Sequence, residues 1–559
     1  MAPQKSAEYK QVTVLFADVV RSMDIAAALG PERLREIMTK LFDRCAATVQ
    51  RYGGTVDKFT GDGIMAVFGA PIALEDHALR SCLTALDIQN EMRGLTAEVQ
   101  VIDGIDLQLR VGLNSGEVIA GEIGSGAWSY TAVGHQVGMA QRMESAAPPG
   151  GVMLGESTAR LVAHATKLGE PRKVHIRGTD EPVVARPLLS MGTGRQPIGR
   201  WASTLVDRRW ELATLTAMLD QSTQGRGCVV RVVGPAGIGK SRIVAETAAS
   251  AANRGIPVLS TYCESHTSEV PFLVLARLLR AAFGVDGLGE DQARAALRDR
   301  VPGADEADRV LLEDALGIRD PADELPDIAP DARRRRLTAL VNAAALARKA
   351  PCVYVIEDVH WIDATSESML ADFLTVVHQT HSLVLITYRP EYRGELSHTA
   401  GGQTISLAPL DISDTTALVT QLLGTDPSVA GLTVQVAERA AGNPFFVEEI
   451  VRDLCDRGVL AGERGAHVNA GGSTDVTVPA TLQAAIAARI DRLDSAAKQT
   501  LYAAAVIGFR FRADLLATLA DCTTLAGLVQ AELVDQVMFT PVEEYAFHQP
   551  LIRSVAYRS

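Results

Sequence analysis

Basic residues, aromatic residues and paired cysteines are all scarce in this chain of 559 residues. The 54 lysines and arginines are outnumbered by 67 aspartates and glutamates, which leaves a formal charge of −13. Nucleic acids and anionic membrane surfaces are bound through positive fields, so this balance argues against both as partners. The seven cysteines form no C-x-x-C pair and no His/Cys cluster at metal-ligand spacing. Such scattered cysteines are typical of buried thiols in a reducing compartment.

Long apolar runs are also missing. The N-terminal segment has no apolar signal core, and runs such as 352–356 and 383–387 are far too short to cross a bilayer. We therefore expect a cytoplasmic protein without a membrane segment. A composition of 47% hydrophobic and 22% charged residues is that of globular domains. The length predicts roughly three or four such units.

The N-terminal part alternates strand and helix patterns. Residues 11–18 have an apolar strand pattern, and Gly30-Pro31 opens a helix whose apolar positions fall on one face. Gly61-Asp62-Gly63 joins two β-rich runs and predicts a tight hairpin, because such turns need positive φ. A second helix is expected over about 75–93, and residues 108–124 are expected to form a strand, a glycine turn and another strand.

Composition divides the rest of the chain. Apolar strands at 228–234, 352–358 and 382–390 alternate with helical stretches, which predicts a parallel, doubly wound sheet. From about residue 407 the pattern is mainly helical, and a polar, glycine-rich stretch at 461–478 divides it. The predicted segments are a strand–helix domain at 1–190, a linker at 191–204, a parallel-sheet domain at 205–400, a helical domain at 401–470 and a winged-helix-like domain at 471–559.

Two aspartates in the first domain are candidates for binding a divalent cation. Asp18 ends the first apolar strand, and Asp62 lies at the hairpin tip. Both carboxylates can therefore lie at one edge of a sheet, where hard cations such as Mg²⁺ bind. Taken alone, the two residues are explained equally well as a strand-end cap and a turn former.

The motifs around these aspartates resemble the class III nucleotidyl cyclase catalytic domain over about residues 11–189. The matching blocks are VTVLFADVV, DKFTGDGIMAVFG, LRVGLNSGEVIAGEIG and YTAVGHQVGMAQRMES, in the family's order and spacing. The resemblance implies a ferredoxin-like α/β fold that works as a head-to-tail homodimer with composite sites at its interface. It also implies that Asp18 and Asp62 hold two divalent ions, Mg²⁺ or Mn²⁺, for attack of the ribose 3′-hydroxyl on the α-phosphorus.

Further positions match the family's substrate contacts. Lys58 matches the purine-reading lysine of adenylyl cyclases and Thr131 its partner position, so the resemblance implies ATP as substrate. Arg110 matches a phosphate-contacting arginine, and Arg142 matches the arginine that stabilises charge in the transition state. Arg177 is a looser match to a triphosphate-binding lysine.

The chain also departs from the family. Gly138 stands four residues before Arg142, where relatives usually carry an asparagine that orients the ribose, and Arg21 replaces a usual glycine in the loop after Asp18. Loss of one preorganised contact costs on the order of 10²–10³ in rate. Alternatively, Gly138 allows close helix packing, or another group supplies the contact. We expect a domain that binds Mg·ATP and turns it over slowly.

A second nucleotide site is predicted in the parallel-sheet domain. Its motif is G-x-x-x-x-G-K-[ST], the P-loop or Walker A pattern, and it stands between a strand and a helix as the motif requires. The glycines let backbone N–H groups face the phosphates of ATP, the lysine reaches the β- and γ-phosphates, and the serine hydroxyl binds Mg²⁺. The motif residues are Gly234, Pro235, Ala236, Gly237, Ile238, Gly239, Lys240 and Ser241.

Charged residues at later strand ends extend this second site. Glu357 and Asp358 are both candidates for binding Mg²⁺ or positioning water, and the pattern leaves open which of them does so. Arg389 is either a sensor of the γ-phosphate or a surface arginine at a strand end.

The region 205–559 resembles the STAND class of AAA-like signalling ATPases. The resemblance rests on the P-loop, on the AGNPFFVEEI block at 441–450 and on the closing block at 545–557. It implies a switch that hydrolyses ATP slowly and works by shifting a population between states. Gly442 and Pro444 belong to the segment that contacts nucleotide in such proteins.

The sequence leads to one hypothesis and one alternative. The hypothesis is an adenylyl cyclase whose output is set by an attached ATP-binding switch, which responds to a protein or ligand signal that the sequence does not identify. The alternative is a catalytically degenerate cyclase domain used for dimerisation or nucleotide sensing. The run 333–336 of four arginines is expected to be a solvated helix face, and the segment near 480–559 a packing module rather than a DNA-binding one.

Overall fold

Two compact units make up the chain. Unit 1 contains residues 1–197, 449–460 and 470–559, and unit 2 contains 198–448 and 461–469. In the parts of the chain that are described, every helix is too short or too polar to span a lipid bilayer. The computed structural model describes residues 8–122, 130–163, 165–174, 182–192, 205–268, 270–286, 288–301, 304–320, 323–399, 401–471, 479–531, 533–538 and 543–558.

The N-terminal part of unit 1 is a mixed sheet with helices packed on it. The strand order is β2-β3-β1-β4-β6-β9-β7, with β5 paired to β4 and β8 to β9. β1 is antiparallel to both β3 and β4, whereas β4 and β6 are parallel. The predicted α/β arrangement of this domain is confirmed. Its elements are β1 (Glu8–Val19), α1 (Ser22–Leu29), α2 (Pro31–Arg51), β2 (Thr55–Phe59), β3 (Gly63–Phe68), α3 (His77–Asp103), β4 (Leu109–Glu122), β5 (Tyr130–Val133), α4 (His135–Ala146), β6 (Val152–Gly155), α5 (Glu156–Val162), β7 (Thr166–Leu168), β8 (Arg172–Val174) and β9 (Val183–Met191).

Helix α2 begins where the sequence predicts. Gly30 has a φ of 74° and Pro31 occupies the first turn, where its missing N–H has no intrahelical partner to lose. The predicted apolar face packs into the main core of the domain, beside residues of α3 and the sheet. The buried residues of that face are Ile37, Met38, Leu41, Cys45 and Val49.

The predicted strand, turn and strand at 108–124 is wrong. Residues 109–122 form the single strand β4, and β1 pairs with it from Leu109 to Ala120. One glycine of this stretch has a packing role. A Cβ at Gly112 would lie 1.9 Å from the backbone nitrogen of Glu144, so glycine lets α4 approach the sheet closely.

The middle of the chain contains the parallel sheet. Five strands in the order β11-β12-β13-β10-β14 all run parallel, with separate apolar cores on the two faces. The predicted doubly wound sheet is confirmed, and β14 lies past the predicted boundary at residue 400. The elements are α6 (Arg209–Thr223), β10 (Cys228–Val233), α7 (Lys240–Asn253), β11 (Val258–Tyr262), α8 (Leu273–Phe283), α9 (Glu290–Arg300), α10 (Glu306–Ala315), α11 (Pro330–Ala347), β12 (Cys352–Glu357), α12 (Ala364–Val376), β13 (Ser382–Tyr388), β14 (Gln403–Ser406), α13 (Ile412–Leu423), α14 (Ala430–Ala440), α15 (Pro444–Asp456), β15 (Leu460–Ala461) and β16 (Val468–Asn469).

The arginine run in α11 is engaged within unit 2. Arg333 donates to the carbonyl of Ile328 over 3.1 Å, Arg334 donates to the hydroxyl of Ser368, and Arg336 forms ion pairs with two aspartates of the α10 region. The expected solvated helix face is therefore wrong for these three arginines. They hold α11 against its neighbours.

The C-terminal part of unit 1 combines helices with a small sheet. Its three antiparallel strands have the order β17-β19-β18. This composition agrees with the predicted winged-helix-like region. The elements are α16 (Ala480–Asp491), α17 (Ser495–Ile507), β17 (Arg510–Arg512), α18 (Ala513–Leu516), α19 (Leu525–Gln530), β18 (Val534–Met538), β19 (Glu544–Phe547) and α20 (Pro550–Arg558).

Within unit 1, helix α16 is bound to strand β1 through a buried ion pair. Lys10 Nζ lies 2.7 Å from Asp491 Oδ2, and the two side chains are 7% and 6% exposed. The backbone nitrogen of Ala73 donates to the same oxygen over 2.9 Å, and Lys498 donates to Asp491 Oδ1 over 2.9 Å. Although burial opposes it, the two lysines hold the pKa of Asp491 below its usual range. The last domain is therefore joined to the first by a satisfied, buried charge.

Candidate functional site

The structure places the two predicted metal-binding aspartates side by side. Asp18 lies opposite Gly63 in the antiparallel pair of β1 and β3, and Asp62 directly precedes Gly63. A Cβ at Gly63 would lie 2.6 Å from Asp18 Oδ1, so glycine makes room for this carboxylate. The Ser22 hydroxyl, at the start of α1, donates to Asp62 Oδ2 over 2.5 Å. The end of β1 and the hairpin tip thus form one acidic site.

Burial and like charges make this site electrostatically unfavourable. Burial, the Asp62 carboxylate and Glu144 raise the pKa of Asp18 to about 7. Glu144 lies on α4, is 7% exposed, and has its own pKa raised by burial. Arg110 of β4 pairs in register with Asp18 and partly offsets the charge of Glu144. The site holds more negative charge than its protein neighbours neutralise.

A divalent cation fits this arrangement. Among the described residues, the buried Asp18 Oδ1 has no hydrogen-bond partner. Mg²⁺ and Mn²⁺ prefer oxygen ligands, and Mg²⁺ is commonly bound by one or two carboxylates together with substrate phosphates. No group of three or more His, Cys, Asp or Glu side chains in the described residues is placed to hold a metal ion. Asp18 and Asp62 would therefore bind a cation jointly with a phosphate ligand.

We expect Asp18→Asn to stabilise the metal-free protein above neutral pH. The usual pKa of an aspartate is 3.8, so the folded protein binds the Asp18 proton more tightly than the unfolded chain does. Wild-type stability therefore falls as the pH rises from about 4 to about 7, and the asparagine avoids this loss. The expected gain is about 2 kcal/mol at pH 8, a rise of about 4–8 °C in the unfolding transition of this domain.

Thermal unfolding in the presence of a chelator measures this gain. The gain should fall to roughly a third at pH 5, because only the first part of the loss between pH 4 and pH 7 has occurred there, and it should disappear below the usual aspartate pKa of 3.8. Asp24→Asn is the matched control, because Asp24 is an exposed aspartate on α1 and its loss removes the same formal charge. An equal gain at both pH values, or an equal gain from Asp24→Asn, would contradict the assigned role of Asp18.

The predicted purine-reading residues lie on the edge strands β2 and β5. Lys58 is in β2, about half of its side chain is exposed, and its Nζ lies 3.6 Å from Asp57 Oδ2. Thr131 is in β5, and its hydroxyl donates to the same Asp57 oxygen over 3.0 Å. The side chain of Asp57 is only 4% exposed. The structure thus joins Lys58 and Thr131 through a buried carboxylate.

Helix α4 presents the remaining predicted residues of this site. Arg142 Nη1 lies 3.8 Å from Met139 Sδ. Gly138 is one helical turn before Arg142, and a Cβ built on it meets no heavy atom within 4 Å. Close packing therefore does not explain this glycine. Arg21 has a φ of 55°, a left-handed conformation that glycine adopts more easily. Arg177 lies outside the described residues.

The P-loop lies between β10 and α7. Gly237 and Gly239 have φ values of 78° and 104°, which turn the backbone as the motif requires. Lys240 begins α7, is 7% exposed, and donates to the carbonyl oxygens of Gly234 and Pro235 over 2.7 and 2.9 Å. Ser241 follows in the first turn, where free N–H groups and the helix dipole favour an anion. Loop and helix together have the backbone geometry that the predicted phosphate-binding motif requires.

The later predicted residues of this second site lie at the same edge of the parallel sheet. Glu357 ends β12, and Asp358 follows it with a φ of 57°. The backbone nitrogen of Asp358 donates to the Thr387 hydroxyl over 2.9 Å. Arg389 directly follows β13. Because parallel strands share the edge at which their carboxyl ends lie, these residues border the same crevice as the P-loop.

A segment distant in sequence holds the P-loop in place. The Asn443 amide donates to the carbonyl of Ala236 over 2.9 Å, and the backbone nitrogen of Phe445 donates to the carbonyl of Gly237 over 3.3 Å. A Cβ at Gly237 would lie 2.7 Å from Asn443 Oδ1, so only glycine fits there. The start of the 441–450 block therefore contacts the phosphate-binding loop.

Three residues of these sites, Asp57, Glu144 and Asn443, are not predicted by the sequence patterns. Asp57 lies next to Lys58, and strand alternation would place the two on opposite faces. Glu144 looks like an ordinary solvated helix residue. Asn443 belongs to the AGNPFFVEEI block at 441–450, but the motif does not indicate that this asparagine contacts the P-loop. Of the three, only Asn443 had a signal in the sequence, since it stands between Gly442 and Pro444, in the segment that contacts nucleotide in the proteins this region resembles.

Three family models match the chain. The model described as the adenylate and guanylate cyclase catalytic domain matches residues 4–185. The model described as an AAA ATPase domain matches residues 204–386. A third model, for a domain of unknown function, matches residues 412–467.

Individual proteins match parts of the chain. An uncharacterized protein of Rhizobium meliloti (strain 1021) is 27% identical over 457 residues, which are 80% of this chain and 44% of that protein. A protein named adenylate cyclase from Mycobacterium tuberculosis (strain ATCC 25618 / H37Rv) is 30% identical over 171 residues, 31% of this chain and 38% of that protein. The crystal structure of the guanylyl cyclase Cya2 is 29% identical, with a TM-score of 0.33, over 34% of this chain and 97% of that one. The chain spans less than half the length of the two curated relatives.

Proposed function

Since the chain carries an adenylate and guanylate cyclase catalytic domain followed by an AAA ATPase domain, as its motifs predicted, we propose that it converts ATP to cyclic AMP and diphosphate under the control of an ATP-binding switch. The observation that carries this proposal is the pair of adjacent carboxylates, Asp18 and Asp62, with one buried oxygen of Asp18 unpaired. Such a pair suits an ion that also binds a nucleotide phosphate.

The protein groups have separable tasks in this reaction. Mg²⁺ or Mn²⁺ held by Asp18 and Asp62 supplies charge stabilisation at the phosphates and at the ribose 3′-hydroxyl. Ser22 fixes the Asp62 carboxylate through its hydroxyl. Arg110 and Arg142 contribute positive charge toward the phosphates and the transition state. Lys58 and Thr131 orient the purine ring, and a homodimer formed through the cyclase domain brings them to the metal site of the partner protomer.

The ATPase domain acts as the switch in this proposal. Lys240 and Ser241 begin a helix whose N-terminus favours phosphate, and Glu357, Asp358 and Arg389 border the same crevice. Asn443 holds the P-loop from the helical segment that follows, so nucleotide phosphates and this segment share the loop. ATP binding therefore shifts the balance between two arrangements of the segment, and slow hydrolysis resets it. The signal that this switch receives is a protein or a small ligand.

The proposed location of the protein is the cytoplasm, on the basis of its cysteines and its proposed substrate. All seven cysteines are free, and four of them are buried. Free thiols and a dependence on ATP fit the reducing, nucleotide-rich cytoplasm.

Incubating the purified full chain separately with ATP and with GTP tests the proposed activity. With Mn²⁺ or Mg²⁺ present, we expect cyclic AMP from ATP and much less cyclic GMP from GTP. Asp62→Asn is the matched control, because it keeps the shape of the side chain and removes one metal-binding charge, so the product that the wild type forms above the level of this variant comes from the Asp18 and Asp62 site. Predominant cyclic GMP would show the substrate to be wrong. Absence of both products from the wild type would show the activity to be wrong.

A further inference from the structure

We propose that Asp57 is a positioning residue that sets the preference of the cyclase site for adenine over guanine. It acts by fixing the hydrogen-bonding direction of Thr131 and the position of Lys58. The inference rests on the proposed cyclase function and adds to it the residue that determines the nucleobase.

A bulge in strand β2 brings Asp57 to this position. Val56 pairs with Ala66 and Lys58 pairs with the next residue, Met65, so Asp57 is an extra residue between two paired ones. In a regular strand, neighbouring side chains point to opposite faces of the sheet. A bulge breaks this alternation and redirects a side chain, a feature that recurs beside functional sites. Here it lets one oxygen of Asp57 reach both Lys58 and Thr131.

The contact between Asp57 and Thr131 has only one possible direction. A carboxylate accepts hydrogen bonds and has no hydrogen to donate. The hydroxyl hydrogen of Thr131 is therefore committed to Asp57 Oδ2 over 3.0 Å. The Thr131 oxygen keeps its lone pairs for a ligand, so toward the nucleobase this side chain is an acceptor only.

Lys58 supplies the opposite polarity beside it. Its ammonium lies 3.6 Å from the same Asp57 oxygen, and 52% of the side chain is exposed. An ammonium donates hydrogen bonds and never accepts them. The carboxylate thus holds a donor and an acceptor next to each other at the surface of β2 and β5.

This pair of polarities fits adenine and not guanine. Adenine carries an amino group, which donates, beside a ring nitrogen, which accepts. Guanine carries at the same two positions a carbonyl oxygen, which accepts, and a ring N–H, which donates. Thr131 and Lys58 therefore match both positions of adenine and oppose both positions of guanine. A site built to bond specific polar groups rejects an analogue that leaves its groups unpaired.

The charge of Asp57 is what removes the choice of direction. Asn at this position accepts a hydrogen bond through its carbonyl oxygen or donates one through its amide nitrogen. The Thr131 hydroxyl is then free to donate to a guanine carbonyl, and Lys58 loses its anionic neighbour. Loss of Asp57 should therefore reduce the difference in kcat/KM between ATP and GTP. A loss of structure alone would lower both values.

Measuring kcat/KM for ATP and GTP in the full chain tests this inference. We expect Asp57→Asn to lower the ATP to GTP ratio about tenfold, the effect of one misdirected charge-assisted hydrogen bond. Asp87→Asn is the matched control. Asp87 also accepts a hydroxyl hydrogen bond, from Tyr52 over 2.6 Å, but it lies on α3 away from β2 and β5. The ratio in this control should stay within twofold of the wild type.

A double-mutant cycle separates this role from a structural one. Thr131→Val removes the hydroxyl that Asp57 directs, so adding Asp57→Asn to it should change the ratio less than Asp57→Asn does alone, since only the effect through Lys58 remains. An unchanged ratio in Asp57→Asn, with cyclic AMP still formed by the wild type, overturns the inference and leaves the proposed function standing. Equal effects of Asp57→Asn with and without the Thr131 hydroxyl also overturn it. Absence of both cyclic nucleotides from the wild type overturns the proposed function, and this inference with it.

Discussion

A Gly138→Asn variant of the full chain is expected to form cyclic AMP about 10–100 times faster than the wild type at saturating ATP, because one preorganised polar contact is typically worth 10²–10³ in rate. The cyclase family that this chain resembles usually carries asparagine at this position, and its amide orients the ribose. The structure adds the steric argument. A Cβ at Gly138 meets no heavy atom within 4 Å, so the new side chain has room.

The position of Gly138 on α4 determines what the amide can reach. Residues four apart lie on the same face of a helix, one turn from each other. An asparagine at 138 is therefore on the face that carries Arg142, the predicted transition-state arginine. The backbone at Gly138 is ordinary helix, so asparagine also fits without strain and is the slightly better helix former.

Gly138→Ala is the matched control for this gain. Alanine removes the flexibility of glycine and stabilises the helix by up to about 1 kcal/mol, but it brings no donor. If the amide is what the site lacks, cyclic AMP formation rises in the asparagine variant and stays near the wild-type rate in the alanine variant. Equal gains would identify helix stability as the cause. No detectable product in any of the three would favour the degenerate cyclase domain that dimerises or senses nucleotide.

Lys240→Ala is expected to weaken nucleotide binding at the P-loop by at least about 30-fold, since removing one partner of a buried, charge-assisted contact costs about 2–5 kcal/mol. Lys240 is buried at the start of α7, and its ammonium also bonds two carbonyl oxygens of the loop. The substitution therefore removes both the phosphate ligand and a bond that shapes the loop. ADP formation should be lost with binding.

Binding of MgADP by calorimetry measures this effect without turnover at the cyclase site, because ADP lacks the diphosphate leaving group of that reaction. Arg254→Ala is the matched control. Arg254 follows the other end of α7, pairs with Asp220, and carries the same charge as Lys240. Cyclic AMP formation is measured in parallel and tests whether the two domains are coupled. If its rate changes in Lys240→Ala and not in Arg254→Ala, the ATPase domain controls the cyclase. Unchanged MgADP affinity would contradict the assigned site.

Much of the fold follows from local sequence patterns. The hairpin around Gly61 and the helix that begins at Pro31 were predicted because turn glycines and N-terminal proline have direct conformational causes. Strand β4 was not, because a glycine that admits a neighbouring helix looks the same in sequence as a glycine that forms a turn. Helix α3 extends to Asp103, past the predicted end near 93, because Gly94 lies within the helix without ending it and the left-handed cap comes only at Gly104.

The sites show the same limit. Motif spacing predicts Asp18, Asp62 and the P-loop lysine as site residues because each motif residue carries its own chemistry. Asp57 depends on a bulge in β2, which arises from pairing with β3 and leaves no mark in the strand's own pattern. The contact between Lys10 and Asp491 joins residues 481 positions apart, and each of them alone resembles a surface charge. Contacts between residues that are distant in sequence cannot be predicted from local patterns, because the fold alone brings the two side chains together.

The buried pair of Lys10 and Asp491 has a thermodynamic consequence for the whole chain. It closes a loop of 481 positions, and the entropy lost on closing a flexible loop grows with the logarithm of its length. Most of that loop folds as unit 2, which leaves far fewer flexible residues to order. Folding of the ATPase unit therefore raises the local concentration of Asp491 around Lys10. A substitution that destabilises unit 2 is therefore expected to weaken the contact between Lys10 and Asp491, even though both of these residues belong to unit 1.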